Sequence, residues 1–246
     1  VDAGIGGAVA EVVGRKLANK LLNVSRFVLS FGDVDTTAPA DEIILDALDR
    51  SMLAKLDSVI ADATAGFDAF DYARGLERTE AFFWWFCDDY VELVKSRAYA
   101  VHGAERAASA QASLRAALHA LHRLLAPFLP FVTDEVWSWW QPGSVHTQAW
   151  PTVDGSWTDE SMLIAVSEVL ALVRRAKTEA KASQRAEVAT VVVRGPADAL
   201  AAVQAAQSDL TDAGSVAAFE FVTGESLTCD VALAELTGAD AAIPVA

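Results

Sequence analysis

The sequence predicts a mostly α fold: a helix bundle over residues 1–160, followed by a helix plus a small α/β unit over residues 161–246. Three observations lead there. Apolar residues recur at helical spacing through the first part of the chain. The pattern changes to short β-branched runs after about residue 186. A polar, Trp-containing loop at 141–159 separates the two regimes.

The first helix is expected over residues 11–31, EVVGRKLANKLLNVSRFVLSF. Wound at about 100° per residue, it collects Leu17, Leu21, Val24, Val28 and Leu29 on one side. Arg15, Lys16, Asn19, Lys20, Asn23 and Arg26 collect on the other, with Phe27 among them. A loop rich in Gly, Asp, Thr and Pro follows at 32–41, and a second helix at 42–65 carries Leu45, Leu48, Met52, Leu53, Leu56, Val59 and Ile60 at helical spacing. A third helix, 68–100, contains the run FFWWFCDDYVELVK, whose rings are core by default. A fourth, 105–125, ends at the breaks Pro127 and Pro130. Thr133 then caps a short helix, DEVWSWW. After the loop come a helix at 161–184, a strand at 188–193, a helix at 196–207 and strands near 216–222 and 227–233. Residues 237–246 read as a frayed tail.

Composition narrows the functions. Hydrophobic residues make up 53% of the chain, enough for a packed core and against disorder. The net charge of −15 excludes a histone-like binder that meets nucleic acid over its whole surface, so phosphate must be met by a local patch. Cys87 and Cys229 lie far apart and form no metal or redox motif, which fits reduced thiols in a cytoplasmic protein. The most apolar run, 114–132, is broken by Arg115, Arg123, two histidines and two prolines, so no membrane span is expected. The Gly/Ala-rich opening without Met reads as a piece of something longer or a trimmed terminus.

No catalytic residue or metal site is expected. There is no glycine-rich phosphate loop after a strand and no H-E-x-x-H. His119 and His122 sit at i, i+3 without further ligands at metal spacing. Asp88 and Asp89 are adjacent on a helix and point apart, with Lys95 or Arg97 as ordinary partners. Ser144 and His146 lack a third member for a triad. What remains is the first helix, where cations suit phosphate, amides suit base edges and a ring suits stacking. The residues alone leave open an ordinary solvated basic face there. A second basic group, Arg174, Lys177, Lys181 and Arg185, extends one face of the helix at 161–184, and by itself it reads first as a solvated helix end whose cations suit the C-terminal dipole.

Five stretches carry a resemblance: GRKLANKLLNVSRFVL (14–29), LDRSMLAKL (48–56), RTEAFFWWFCDDYVELVKSRAY (78–99), LLAPFLPFVTDEVW (124–137) and GSVHTQAWP (143–151). In order and spacing the chain resembles the valyl-tRNA synthetase family, in the region after its catalytic domain. The resemblance covers about residues 14–151 strongly and the α/β tail weakly. Part of it is shared with isoleucyl and leucyl relatives, while FCDDYVELVK and N-K-L-L-N-x-S-R-F look most like the valine enzyme.

The resemblance implies an anticodon-binding helix bundle that docks tRNA(Val) for the catalytic body of the same ligase. That ligase activates valine with ATP and Mg. The family's HIGH-like and KMSKS-like signatures are absent from this sequence, so no cofactor is expected here and the chain by itself is expected to be inactive. Carried over by position, Arg15, Lys20 and Arg26 would meet phosphates or bases, Asn19 and Asn23 base edges, and Phe27 would stack. Arg174, Lys177, Lys181 and Arg185 form a secondary tRNA-binding candidate, taking over part of the family's coiled-coil arm, since no sustained heptad follows Leu236. Two other classes stay open: a stand-alone RNA-binding protein derived from this domain, and a helical protein-interaction module with an exposed apolar patch.

Overall fold

A computed structural model describes residues 3–32 and 40–234, with side chains from residue 14 onward. The expected tail and most of the first loop lie outside the described residues. The chain divides into two compact units, Val1–Glu160 and Ser161–Ala246.

The first unit holds helices α1 (Ala3–Leu29), α2 (Ala40–Ile43), α3 (Ala47–Asp68), α4 (Tyr72–Trp85), α5 (Val91–Ala98), α6 (Ala104–Leu125) and α7 (Pro130–Trp137). Helix α6 forms its axis, in contact with α1, α2, α3, α4, α5 and α7. The core is the union of the apolar stripes: Leu17, Leu21, Val24 and Val28 from α1, Leu48, Met52 and Leu56 from α3, and Leu114, Leu118 and Leu121 from α6, all buried.

Three expected boundaries differ. The second helix is interrupted at residues 44–46, and α3 restarts from Asp46, whose carboxylate accepts from the Leu48 amide at 3.1 Å. Ser109 Oγ accepts the Leu45 and Asp46 amides, so α6 satisfies the break. The third helix turns at residues 69–71, where Asp71 caps α4, and it widens into a π-helical stretch, Phe86–Tyr90. Thr133 is no cap: α7 begins at Pro130, and the Thr133 hydroxyl donates back to the Leu129 carbonyl at 2.8 Å.

The long segment after α7 is pinned. Asp134 accepts from Ser144 Oγ at 2.6 Å and from the Val145 amide, which holds its carboxyl below the usual range. Trp150 Nε1 donates to Thr64 Oγ1 at 2.9 Å. Asp57 accepts the amides of Asp154 and Gly155.

In the second unit, α8 (Ser161–Glu179) packs on α9 (Ala197–Ala205), α10 (Gln207–Gly214) and the sheet. The sheet has the order β2-β1-β3, with β1 (Val188–Gly195) central, β2 (Val216–Thr223) parallel to it and β3 (Thr228–Leu233) antiparallel. Val191 and Val193 of β1 are buried, as are Val166, Val169, Leu170 and Val173 of α8. Helix α10 was not expected, because Gln207–Gly214 has only Leu210 as a large apolar residue to mark a period.

Candidate nucleic-acid interface

Helix α1 presents the two faces expected of it. Leu17, Leu21, Val24 and Val28 face inward, with Ser25 buried beside them and hydrogen-bonded to His122 of α6 at 3.2 Å. Arg15, Lys16, Asn19, Asn23 and Arg26 are exposed, while Lys20 and Phe27 are half-buried. The face is less purely cationic than its sequence. Lys20 Nζ lies 2.6 Å from Asp88 Oδ1 of the π-helical stretch. The Arg26 guanidinium lies over the Trp139 ring, 5.8 Å from its centroid.

Phe27 is not the isolated exposed ring expected on the helix wheel. It meets Phe31 edge-on at 5.1 Å and Tyr99 at 6.0 Å, and Phe31 and Tyr99 meet at 5.2 Å. Of these rings Tyr99 is the exposed one, at 59%. Phe31, Tyr99 and Trp139 were missed as members of this surface. For Tyr99 a signal existed: buried Val91, Val94 and Ala98 mark the inner face of α5, which turns the next residue outward.

The end of α5 that carries Tyr99 is built firmly. Arg97 and Asp49 form a fully buried pair, and Tyr90 and Ser109 hydroxyls each donate to Asp49 at 2.7 Å. Burial, with the Asp49 carboxylate alongside, holds the Tyr90 phenol well above its usual pKa. Asp46 joins this group through Arg97 Nη1, 3.5 Å from Asp46 Oδ2, and pairs on its other side with Arg106 Nη2 at 3.0 Å. The helix closes with Ala100 in the left-handed region at φ 61°, the Val101 amide on the Ser96 carbonyl and the Ala100 amide on Arg97, the Schellman pattern. Arg97 thus pairs with Asp49, and Lys95 pairs with Glu92.

The second basic group is not one helix face. Lys177 is 1% exposed, and its ammonium donates to the carbonyls of Gln184 at 3.0 Å and Gly214 at 2.7 Å. Burial lowers its pKa, with Arg174 adding to the effect. It is a structural cation and is removed from the tRNA-binding candidates. Helix α8 also stops before residue 184: Lys181 adopts φ 55°, and the Ala182 amide bonds to the Lys177 carbonyl, another Schellman closure. Lys181 and Arg185 are exposed on the turn beyond the helix, and Arg174 is half-buried on α8.

The remaining chemistry-bearing residues are structural. His122 is buried and His119 stacks on Trp137 at 5.0 Å; desolvation lowers their pKa values to about 3 and about 4. His146 Nε2 donates to the Pro130 carbonyl at 3.0 Å, away from Ser144. Burial pushes the free thiols of Cys87 and Cys229 up to about 12 and about 11. Among the described residues no group of His, Cys, Asp and Glu is arranged to hold a metal ion. No helix among them is long and apolar enough to cross a membrane. Phe70 and Tyr72 form a separate exposed ring pair, at 79% and 48% exposure with centroids 6.4 Å apart, and Phe131 is exposed at 90%. Phe67 joins Tyr72 to Phe128 and Trp150.

A helix bundle with a polar, cationic and ring-flanked helix face is the form of an RNA-docking domain. The sequence profile of the anticodon-binding domain of tRNA ligases matches residues 49–193, and the chain belongs to that family. It is similar to valine–tRNA ligases: that of Thermobifida fusca (strain YX) is 52% identical over 230 residues, which is 90% of this chain and 26% of that protein. The valine–tRNA ligase of Salinispora tropica is 49% identical over 223 residues, 83% of this chain and 26% of that protein. That of Cutibacterium acnes is 45% identical over 232 residues, 91% of this chain and 26% of that protein. The chain therefore spans about a quarter of the length of the curated relatives it matches.

Proposed function

We propose that this chain docks the anticodon arm of tRNA(Val) as the RNA-binding part of a cytoplasmic valine–tRNA ligase. The carrying observation is the exposed face of α1, Arg15, Asn19, Asn23 and Arg26, flanked by the Phe27–Phe31–Tyr99 rings. Cations hold the backbone, amides meet base edges and rings stack on unpaired bases. Binding is local by necessity, because the acidic remainder of the surface repels phosphate. Lys20 takes part by exchanging Asp88 for a phosphate. Lys181, Arg185 and Arg174 supply a secondary contact without Lys177.

In this reading ATP and Mg belong to the catalytic part of the ligase, and the isolated chain neither activates valine nor edits. The exposed Phe70–Tyr72 pair supports a protein contact as well, and we assign it to the catalytic body of the same ligase rather than to an unrelated partner. The test is binding of the chain to transcribed tRNA(Val) and to an anticodon-swapped version at two salt concentrations. A preference for the valine anticodon, reduced in Arg15→Ala and Phe27→Ala, supports the reading. Equal affinity for both tRNAs removes anticodon recognition from α1.

A further inference from the structure

We infer that Tyr99 is a nucleobase-stacking residue, the outward ring of a ledge that Phe27 and Phe31 support from beneath. The inference rests on the anticodon-docking reading and adds a ligand contact on α5 to the one on α1. Stacking needs an aromatic face open to solvent. Phe27 and Phe31 are half-buried and meet each other edge-on, with an interplanar angle of 86°. Tyr99 meets them at 69° and 70° and is 59% exposed, so much of its ring remains open to an incoming base.

The ring is also held in place before any ligand arrives. T-shaped contacts with Phe27 and Phe31 hold the ring from within the protein. The Schellman closure at Ala100 fixes the backbone on one side, and the Arg97–Asp49 pair fixes it on the other. Gln111 Nε2 donates to the Ala98 carbonyl at 2.8 Å and ties the same turn to α6. A ring ordered in advance loses little side-chain freedom on binding, so more of the stacking energy reaches affinity. The ledge adjoins the polar face of α1 through Phe27, one helical turn beyond exposed Asn23. A base splayed from the loop therefore meets Tyr99 while its neighbours meet Asn23 and Arg26.

The experiment uses the whole chain and an anticodon stem-loop of tRNA(Val) carrying 2-aminopurine at one loop position at a time. Wild type should quench the fluorescence of one position. Tyr99→Ala should abolish that quenching and weaken binding by roughly 5- to 150-fold, the equivalent of ~1–3 kcal/mol per stacked base. Tyr99→Phe should keep both. Tyr99→Leu retains apolar packing on Phe27 and Phe31 without a ring face, so it should fold as wild type and still lose the quenching. Unchanged quenching and affinity in Tyr99→Leu, with anticodon preference intact, would overturn the role of Tyr99 and leave the docking reading standing. Equal binding of wild type to a swapped loop, with the quenching still lost in Tyr99→Leu, would overturn anticodon recognition and leave the stacking role standing.

Discussion

Arg97 and Asp49 meet through two parallel hydrogen bonds, Nη1 to Oδ2 at 2.9 Å and Nη2 to Oδ1 at 2.8 Å, and neither side chain reaches solvent. The pair joins α5 to α3, and Ser109 adds α6. Breaking it from one side strands a buried charge, which costs roughly 3–5 kcal/mol. Arg97→Ala should lower stability by about that amount in urea unfolding, and Arg97→Met with Asp49→Leu together should cost less than either alone. A double variant as unstable as the sum of the single ones would refute this account of the cost.

Lys20 and Asp88 form a half-exposed pair at 2.6 Å, of the kind worth ~0–1 kcal/mol. RNA phosphate therefore competes for Lys20 at small cost. Asp88→Asn should raise affinity for tRNA at low salt and steepen the log–log salt dependence by at most roughly 0.7, the single-strand value for one phosphate. If both affinity and slope match wild type, Lys20 makes no phosphate contact.

Acid should destabilise the first unit through His122. Its pKa lies near 3 in the fold against the usual 6.5 of a free imidazole, because burial disfavours the imidazolium. The unfolded chain therefore binds the proton first as pH falls. The contribution is fully present above about 6.5 and is lost progressively between there and about 3. His119, near 4, adds in the same direction over the upper part of that window. Denaturant midpoints from pH 7 to pH 4 should fall less steeply in His122→Gln than in wild type, and parallel profiles would rule out His122 as a source of the loss.

Lys177→Met removes the donor to the Gln184 and Gly214 carbonyls. Leaving buried acceptors unpaired costs roughly 1–3 kcal/mol. Thermal unfolding should shift down for the second unit while tRNA affinity stays at the wild-type value. A loss of affinity with unchanged melting would restore Lys177 as an RNA contact.

Periodicity made the bundle legible where apolar residues are large and regularly spaced. The inner stripe of α1 from Leu17 to Val28 is an instance, and so is its polar reverse face. It was silent where polar groups decide the geometry. The Ser109 hydroxyl that accepts the Leu45 and Asp46 amides lies more than sixty residues away, so the interruption between α2 and α3 is satisfied from afar and its one local sign is the capping Asp46. A lysine at a helix end is normally surface, which hides Lys177, and its acceptor on Gly214 belongs to the distant end of α10. For Phe27 the wheel gave its direction, and Phe31 at i+4 was legible as a neighbour, but Tyr99 was not, since it comes from another helix.

The π-helical stretch Phe86–Tyr90 has a bearing on how this surface tolerates length change. There the Val91 amide reaches back to the Phe86 carbonyl, one residue further than in an α-helix. Such a wide turn absorbs an extra residue without altering the phase of the helix beyond it. Removing one residue here lets the chain close into an ordinary helix with Arg97 still aimed at Asp49. The same deletion inside α4 or α5 would rotate everything downstream by about 100° and swing Tyr99 away from α1. A one-residue deletion in the stretch bearing Asp88 can therefore remove the partner of Lys20 while the ring ledge is kept.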